Sequence, residues 1–261
     1  MQNTSILPSF VDGVSLLDIE HGKSTIKQNS NYSLNGAKQH TQQPILTGTS
    51  VIGIVYKDGV MMAADCLASY GSLARFRDVR RFTPFQNNTI IGSSGEYSDL
   101  QQMQQILESL AISEYCYQDH YQLNTNNVFE YLRTVMYGRR TKMNPLWNSH
   151  VIGGLVSGKP FLGYVDLLGT SYKASTIATG FGAYLAQPLL RKAVEGRENE
   201  IDEQEALQIL ENCMRVLFYR DARSLNKIQI AKVTTEGVDI SDPYSLETQW
   251  DFAEHIRGYG A

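Results

Sequence analysis

The sequence predicts an α+β fold, a four-layer α/β/β/α sandwich, on three observations. Short β-branched runs punctuated by turn residues come first, two amphipathic stripes at helical spacing follow, and the order of strands then paired helices repeats before a last hairpin. Two antiparallel sheets, each with one face on its twin and the other under a helical layer, bury all of these stripes in one domain. A doubly wound parallel sheet needs strands and helices to alternate singly, and they do not.

Taken in order, residues 51–56 and 60–65 are apolar runs separated by Lys57, Asp58 and Gly59, and an Asp-Gly pair between two such runs is a hairpin signal. Further strands are expected over 81–85 and 89–92. The period then lengthens: Leu100, Met103, Leu107, Leu110 and Ala111 share one helical stripe, and Val128, Leu132, Val135 and Met136 share another. Asn126 or Asn127 is the expected cap of the second helix, and the loop around Pro145 ends it, because the residue before a proline resists the α region. Strands resume over 150–156, 161–166 and 171–174. Two more stripes follow, Ala183, Ala186, Leu190 and Ala193, then Ala206, Leu210, Cys213, Met214 and Leu217. A hairpin over 228–233 and 238–240 turns at Glu236 and Gly237.

The 261 residues are 42% hydrophobic, ample for a core, and 19% charged. The net charge of −4 leaves no basic surplus for a phosphate backbone, so neither a nucleic-acid partner nor an anionic membrane surface is expected. No segment approaches the roughly 20 apolar residues of a membrane span, and the N-terminus has no basic region ahead of an apolar stretch. Cys66, Cys116 and Cys213 are odd in number and widely spaced within apolar runs, the pattern of reduced core thiols in a cytoplasmic or nuclear protein. The five histidines show no ligand spacing, so neither a metal nor a cofactor is expected. Gly180-Phe181-Gly182 lacks the third glycine of a phosphate cradle and reads as a tight strand-to-helix turn.

Three segments are expected along the chain. Residues 1–40 are rich in Ser and Asn with only short apolar clusters, too little to offset the entropy of ordering, and read as a removable leader. Residues 41–241 form the domain. Residues 242–261 form a tail whose Trp250, Phe252, Ile256 and Tyr259 have no further sequence to cover them and suit a groove on a neighbouring subunit.

The residues that bear on chemistry sit at element ends: Gly48-Thr49 opening the first strand, Asp65 closing the second, Arg80-Arg81 opening the third, Ser94-Gly95 ending a fourth at a helix start, and Tyr219 to Ser224, with Asp221, ending the last helix. As a set these residues resemble the β-type subunits of the 20S proteasome core, members of the N-terminal-nucleophile hydrolase group, from Gly48 to about Val233. The resemblance implies the sandwich of that group and a place among other α and β subunits in stacked seven-membered rings, with assembly chaperones, in cytoplasm and nucleus. It puts Thr49 on the nucleophile, Asp65 on the aspartate beside it, Gly95 on the oxyanion-hole glycine, and Asp221 and Ser224 on the pair near the amine.

Two positions depart from the active pattern. Where active members carry a lysine this chain has Arg81, whose guanidinium does not cycle through neutrality in proton transfer, and where they carry a serine it has Phe181. The stretch 41–49 also resembles that of a non-catalytic paralogue whose leader is cut eight residues before the would-be nucleophile, which implies a cut between His40 and Thr41 and no free amine on Thr49. The expectation is a non-catalytic structural subunit with Thr49, Asp65, Arg81, Gly95, Phe181, Asp221 and Ser224 as vestigial positions. The alternative readings are an active threonine endopeptidase with Thr49 as its N-terminal nucleophile and a stand-alone amidohydrolase of the same fold.

Overall fold

The computed structural model describes residues 43–119 and 122–251. The strands before the helices are Leu46–Gly48 (β1), Val51–Tyr56 (β2), Gly59–Asp65 (β3), Ala68–Tyr70 (β4), Leu73–Phe76 (β5), Phe82–Phe85 (β6) and Thr89–Glu96 (β7). Helices Tyr97–Tyr117 (α1) and Thr125–Thr141 (α2) follow, then strands Asn148–Val156 (β8), Lys159–Val165 (β9), Ser171–Lys173 (β10) and Thr176–Ala178 (β11). Helices Gly182–Leu185 (α3), Gln187–Val194 (α4) and Glu203–Arg220 (α5) precede Lys227–Thr234 (β12), Gly237–Ile240 (β13) and Tyr244–Ser245 (β14).

One sheet runs β10-β9-β8-β7-β1-β4-β5 with β6 also on β7, and the other runs β11-β2-β3-β12-β13 with β14 also on β12. Alternation along the strands sorts three apolar layers. Val51, Val60, Met62, Ile90, Val151 and Leu162 fill the space between the sheets. Ile91, Ile152 and Val165 face Leu107 of α1 and Leu132 of α2. Ile52, Ile54 and Met61 face Leu190 of α4 and Leu210 of α5. The result is the α+β sandwich expected from the sequence. The sheets approach closely where glycines leave room for Met62: a Cβ on Gly92 would lie 2.8 Å from its Cε, and one on Gly153 would lie 3.0 Å from its Sδ.

Several details differ from the sequence reading. The cap of α2 is Asn124, whose side chain accepts from the Asn127 N–H at 3.0 Å, while the Asn127 side chain accepts from the Asn124 N–H at 3.1 Å. That reciprocal box satisfies two backbone donors at once and moves the helix start ahead of Asn126. The single stripe from Ala183 to Ala193 is two helices, broken where Pro188 enters the first turn of α4. Cys66 and Cys213 are buried, but Cys116 is exposed on α1, off the stripe of Leu100, Met103, Leu107 and Leu110. Within the segment 242–261, β14 pairs with β12 and Leu246 is buried in the layer under α5.

The short strands β1, β4, β5, β11 and β14 had no periodicity to announce them. One of them positions the site. On one edge of β7, β6 covers residues 89–92 and β1 covers residues 95–96, through Thr47 opposite Glu96 and Gly48 opposite Gly95. The other edge of β1 pairs with β4, through Leu46 opposite Tyr70 and Thr47 opposite Ser69. The β4–β5 hairpin therefore joins the sheet through β1.

Among the described residues, no helix is long and apolar enough to cross a membrane, and no cluster of three or more His, Cys, Asp or Glu side chains could hold a metal ion.

Candidate functional site

Thr49 sits between β1 and β2, where the chain leaves one sheet for the other. Its hydroxyl donates to Asp221 Oδ2 at 2.5 Å. Asp221 reaches it because it caps the C-terminus of α5, and its other oxygen accepts the Arg223 N–H at 2.9 Å. Ser224 turns the other way: its hydroxyl donates to the Asp221 carbonyl at 2.8 Å and the Leu217 carbonyl at 3.3 Å, closing the helix end. Asp221 therefore meets Thr49 and Ser224 does not.

Asp65 and Arg81 form a buried ion pair below the threonine, 1% and 2% exposed. One guanidinium nitrogen contacts Asp65 Oδ1 at 2.5 Å and also donates to the Ser50 carbonyl at 2.7 Å. Nε donates to the Asp65 carbonyl at 2.9 Å, and the remaining nitrogen donates to the Thr49 carbonyl. The second Asp65 oxygen accepts the Leu225 N–H at 3.0 Å. Burial pushes the Asp65 carboxyl up to about 6, against the lowering pull of Arg81 and of the Leu225 amide. Arg81 is thus committed to four acceptors, and none of its hydrogen bonds goes to the Thr49 hydroxyl. The close packing also explains Gly48, where a Cβ would sit 2.8 Å from Arg81 Cδ.

Gly95 lies at φ +97°, a conformation that L side chains rarely adopt, and a Cβ there would meet the Trp147 carbonyl at 2.1 Å. Asn148 fixes this turn, its amide donating to the carbonyls of Ser94 at 3.1 Å and Glu96 at 2.8 Å. Phe181, just before α3, is 56% exposed. It lines a cleft of about 330 Å³ together with Gly48, Thr49, Gly95, Asn148 and Asp221. That volume is at the small end for a ligand site, and among the described residues no Lys or His side chain lines it.

The structure thus brings Thr49, Asp65, Arg81, Gly95, Phe181 and Asp221 together and leaves Ser224 facing the helix end. Sequence reasoning missed Glu96 and Asn148, which bracket the Gly95 turn. A Glu after a glycine and ahead of a helix gives no signal of a strand contact, and Asn148 reads only as a polar residue beside Trp147. The processing positions His40 and Thr41, and the tail positions Phe252, Ile256 and Tyr259, lie outside the described residues. Trp250 is half exposed and sits edge-on to Tyr219 at 5.0 Å and Phe218 at 5.9 Å, both on α5 of its own domain.

A proteasome subunit family model matches residues 45–233. The proteasome subunit beta type-4 of Xenopus laevis is 50% identical over 224 residues, covering 86% of this chain and 92% of that protein. The probable proteasome subunit beta type-7 of Schizosaccharomyces pombe is 48% identical over 225 residues, and the proteasome subunit beta type-7 of Saccharomyces cerevisiae is 47% identical over 232 residues; each alignment covers 85% of this chain and 86% of the relative. The family model runs from β1 into β12 and takes in every described helix and the positions gathered around Thr49, and the chain belongs to the proteasome subunit family, among its β-type members.

Proposed function

We propose that this chain is a non-catalytic structural β subunit of the 20S proteasome core particle, supplying wall and interfaces for intracellular protein degradation while neighbouring subunits cut. The observation that carries this reading is the environment of Thr49. A hydroxyl nucleophile needs an adjacent base with a pKa near the working pH. The hydroxyl has Asp221 as its hydrogen-bond partner, the lysine position is an arginine spent on Asp65 and three backbone carbonyls, and Phe181 contributes an apolar ring where a hydroxyl is needed.

On this reading the subunit assembles with α and β subunits into stacked seven-membered rings, with the help of assembly chaperones, and works in cytoplasm and nucleus. Residues 1–40 are a leader cut by an active neighbour between His40 and Thr41, because self-cleavage before Thr49 needs the missing base.

Particles carrying Thr49→Ala are expected to retain every peptidase specificity and to assemble normally, and intact mass is expected to give a mature chain beginning at Thr41. Loss of one cleavage specificity with assembly intact, or a chain beginning at Thr49, overturns the reading. In particles whose neighbours lack nucleophiles the leader is expected to stay attached, and a start at Thr41 there excludes cleavage in trans.

A further inference from the structure

We propose that Glu96 is the anchor of an intramolecular peptide-binding site whose occupant is this chain's own segment 43–48, juxtaposing a buried carboxylate with the backbone amides of that segment. Glu96 ends β7 and is 8% exposed. One carboxylate oxygen accepts the N–H groups of both Ile45 and Leu46, the latter at 3.0 Å, and the other accepts the Ser98 hydroxyl at 3.2 Å. Among the described residues Glu96 has no ion-pair partner, so its charge is satisfied by these dipoles.

The geometry is preorganised from both sides. The Glu96 N–H donates to the Trp147 carbonyl at 2.9 Å, and its carbonyl accepts from the Asn148 amide at 2.8 Å. The backbone that carries the carboxylate is therefore fixed at a strand end, and the ordering cost of pairing falls on the segment rather than on Glu96. Beyond the two clamped amides the segment continues as β1 between β7 and β4, and the Ser69 hydroxyl donates to the Thr47 carbonyl at 3.3 Å. Backbone bonds to β7 and β4 hold an extended strand inside the sheet, and the carboxylate adds a charge-assisted contact at its N-terminal end that ladder pairing alone lacks. Such bonds are about twice as strong as neutral ones, and removing the acceptor takes from the Ile45 and Leu46 N–H groups the carboxylate they share.

The segment leads directly into Thr49, so the clamp holds the strand whose Thr47 and Gly48 line the cleft beside the threonine. The site binds an extended backbone and discriminates little among side chains, since Ile45 is itself 58% exposed.

The test is hydrogen exchange on the full-length chain in its assembled particle, comparing Glu96→Ala with the parent. Backbone amides of residues 45–48 are expected to exchange roughly tenfold faster or more in the variant, while those of residues 148–156 keep their protection. Equal exchange of 45–48 with 148–156 still protected overturns the proposal. Should Glu96→Ala fail to assemble, Ile45→Pro removes one clamped N–H at an exposed position, and several-fold faster exchange of 46–48 is then expected. No change there overturns the clamp equally. A chain whose Thr49 is labelled by a threonine-directed electrophile but whose 45–48 amides still depend on Glu96 would refute the non-catalytic reading and leave the clamp standing.

Discussion

Arg81→Ala is expected to lower the stability of the fold by roughly 3–5 kcal/mol, the cost typical of removing one partner from a buried ion pair. The substitution strips the Asp65 carboxylate, 1% exposed, of its cation, and it leaves the carbonyls of Thr49, Ser50 and Asp65 without the donors they now share. Water has little access to replace them. Arg81→Lys should recover only part of the loss, since a single ammonium cannot match a planar fork directed at four acceptors. It should not create activity, because Phe181 and the strand 46–48 remain. The decisive comparison is Asp65→Leu with Arg81→Met: removing both charges together should cost much less than Arg81→Ala alone, because no uncompensated ion is left behind. Urea midpoints of the full-length chain read all of these. A loss below about 1 kcal/mol for Arg81→Ala would show that the buried pair does not hold the fold together around Thr49.

That pair also shows where the sequence was legible. The hairpin at Asp58-Gly59 was readable because its turn chemistry and its flanking apolar runs lie within a dozen residues, and the stripes of α1, α2 and α5 were readable because helical periodicity is local. The Asp65–Arg81 contact was readable only through family likeness: 16 positions separate the two in the chain, and nothing in either residue alone points to the other. Thr49 and Asp221 are 172 positions apart, and spacing says nothing about them. β1 was illegible for a physical reason. Three residues cannot display a period, and the pairing that makes them a strand comes from β4 and β7, elements that themselves form only when the whole sheet does. Glu96 was hidden by the same fact, because its role exists only once β1 is in place. Cys116 misled because residues 110–116 contain enough apolar side chains to suggest burial, while the core-facing stripe of α1 passes through Leu110 and not through the cysteine.

Lowering the pH is expected to withdraw roughly 3 kcal/mol of stability through His150 alone. His150 lies on the face of β8 that carries Ile152, opposite Ser93 of β7, beneath α1 and α2, and is 0% exposed. Its Nδ1 meets the Ser93 hydroxyl at 2.8 Å, while Nε2 is buried without a hydrogen-bond partner. The ring has no acceptor for the second proton of an imidazolium, and burial pushes its pKa down to about 4. In the unfolded chain the same group titrates near 6.5. Between those values the unfolded state binds a proton that the folded state refuses, so the contribution is fully present above about pH 6.5 and is lost as pH falls through 4. Asp65 works in the opposite sense: burial raises its folded pKa to about 6, so its contribution is present below the unfolded value and is lost as pH rises through 6. The two trends overlap, and the pH profile of the parent chain alone does not separate them. The difference between the parent and His150→Gln does, because Asp65 is common to both. Urea midpoints from pH 7 to 4 should show the parent losing roughly 3 kcal/mol more than the variant over this range, with the divergence beginning near pH 6.5. Parallel profiles would mean that the imidazole is protonated in the folded state at these pH values, with a partner for Nε2.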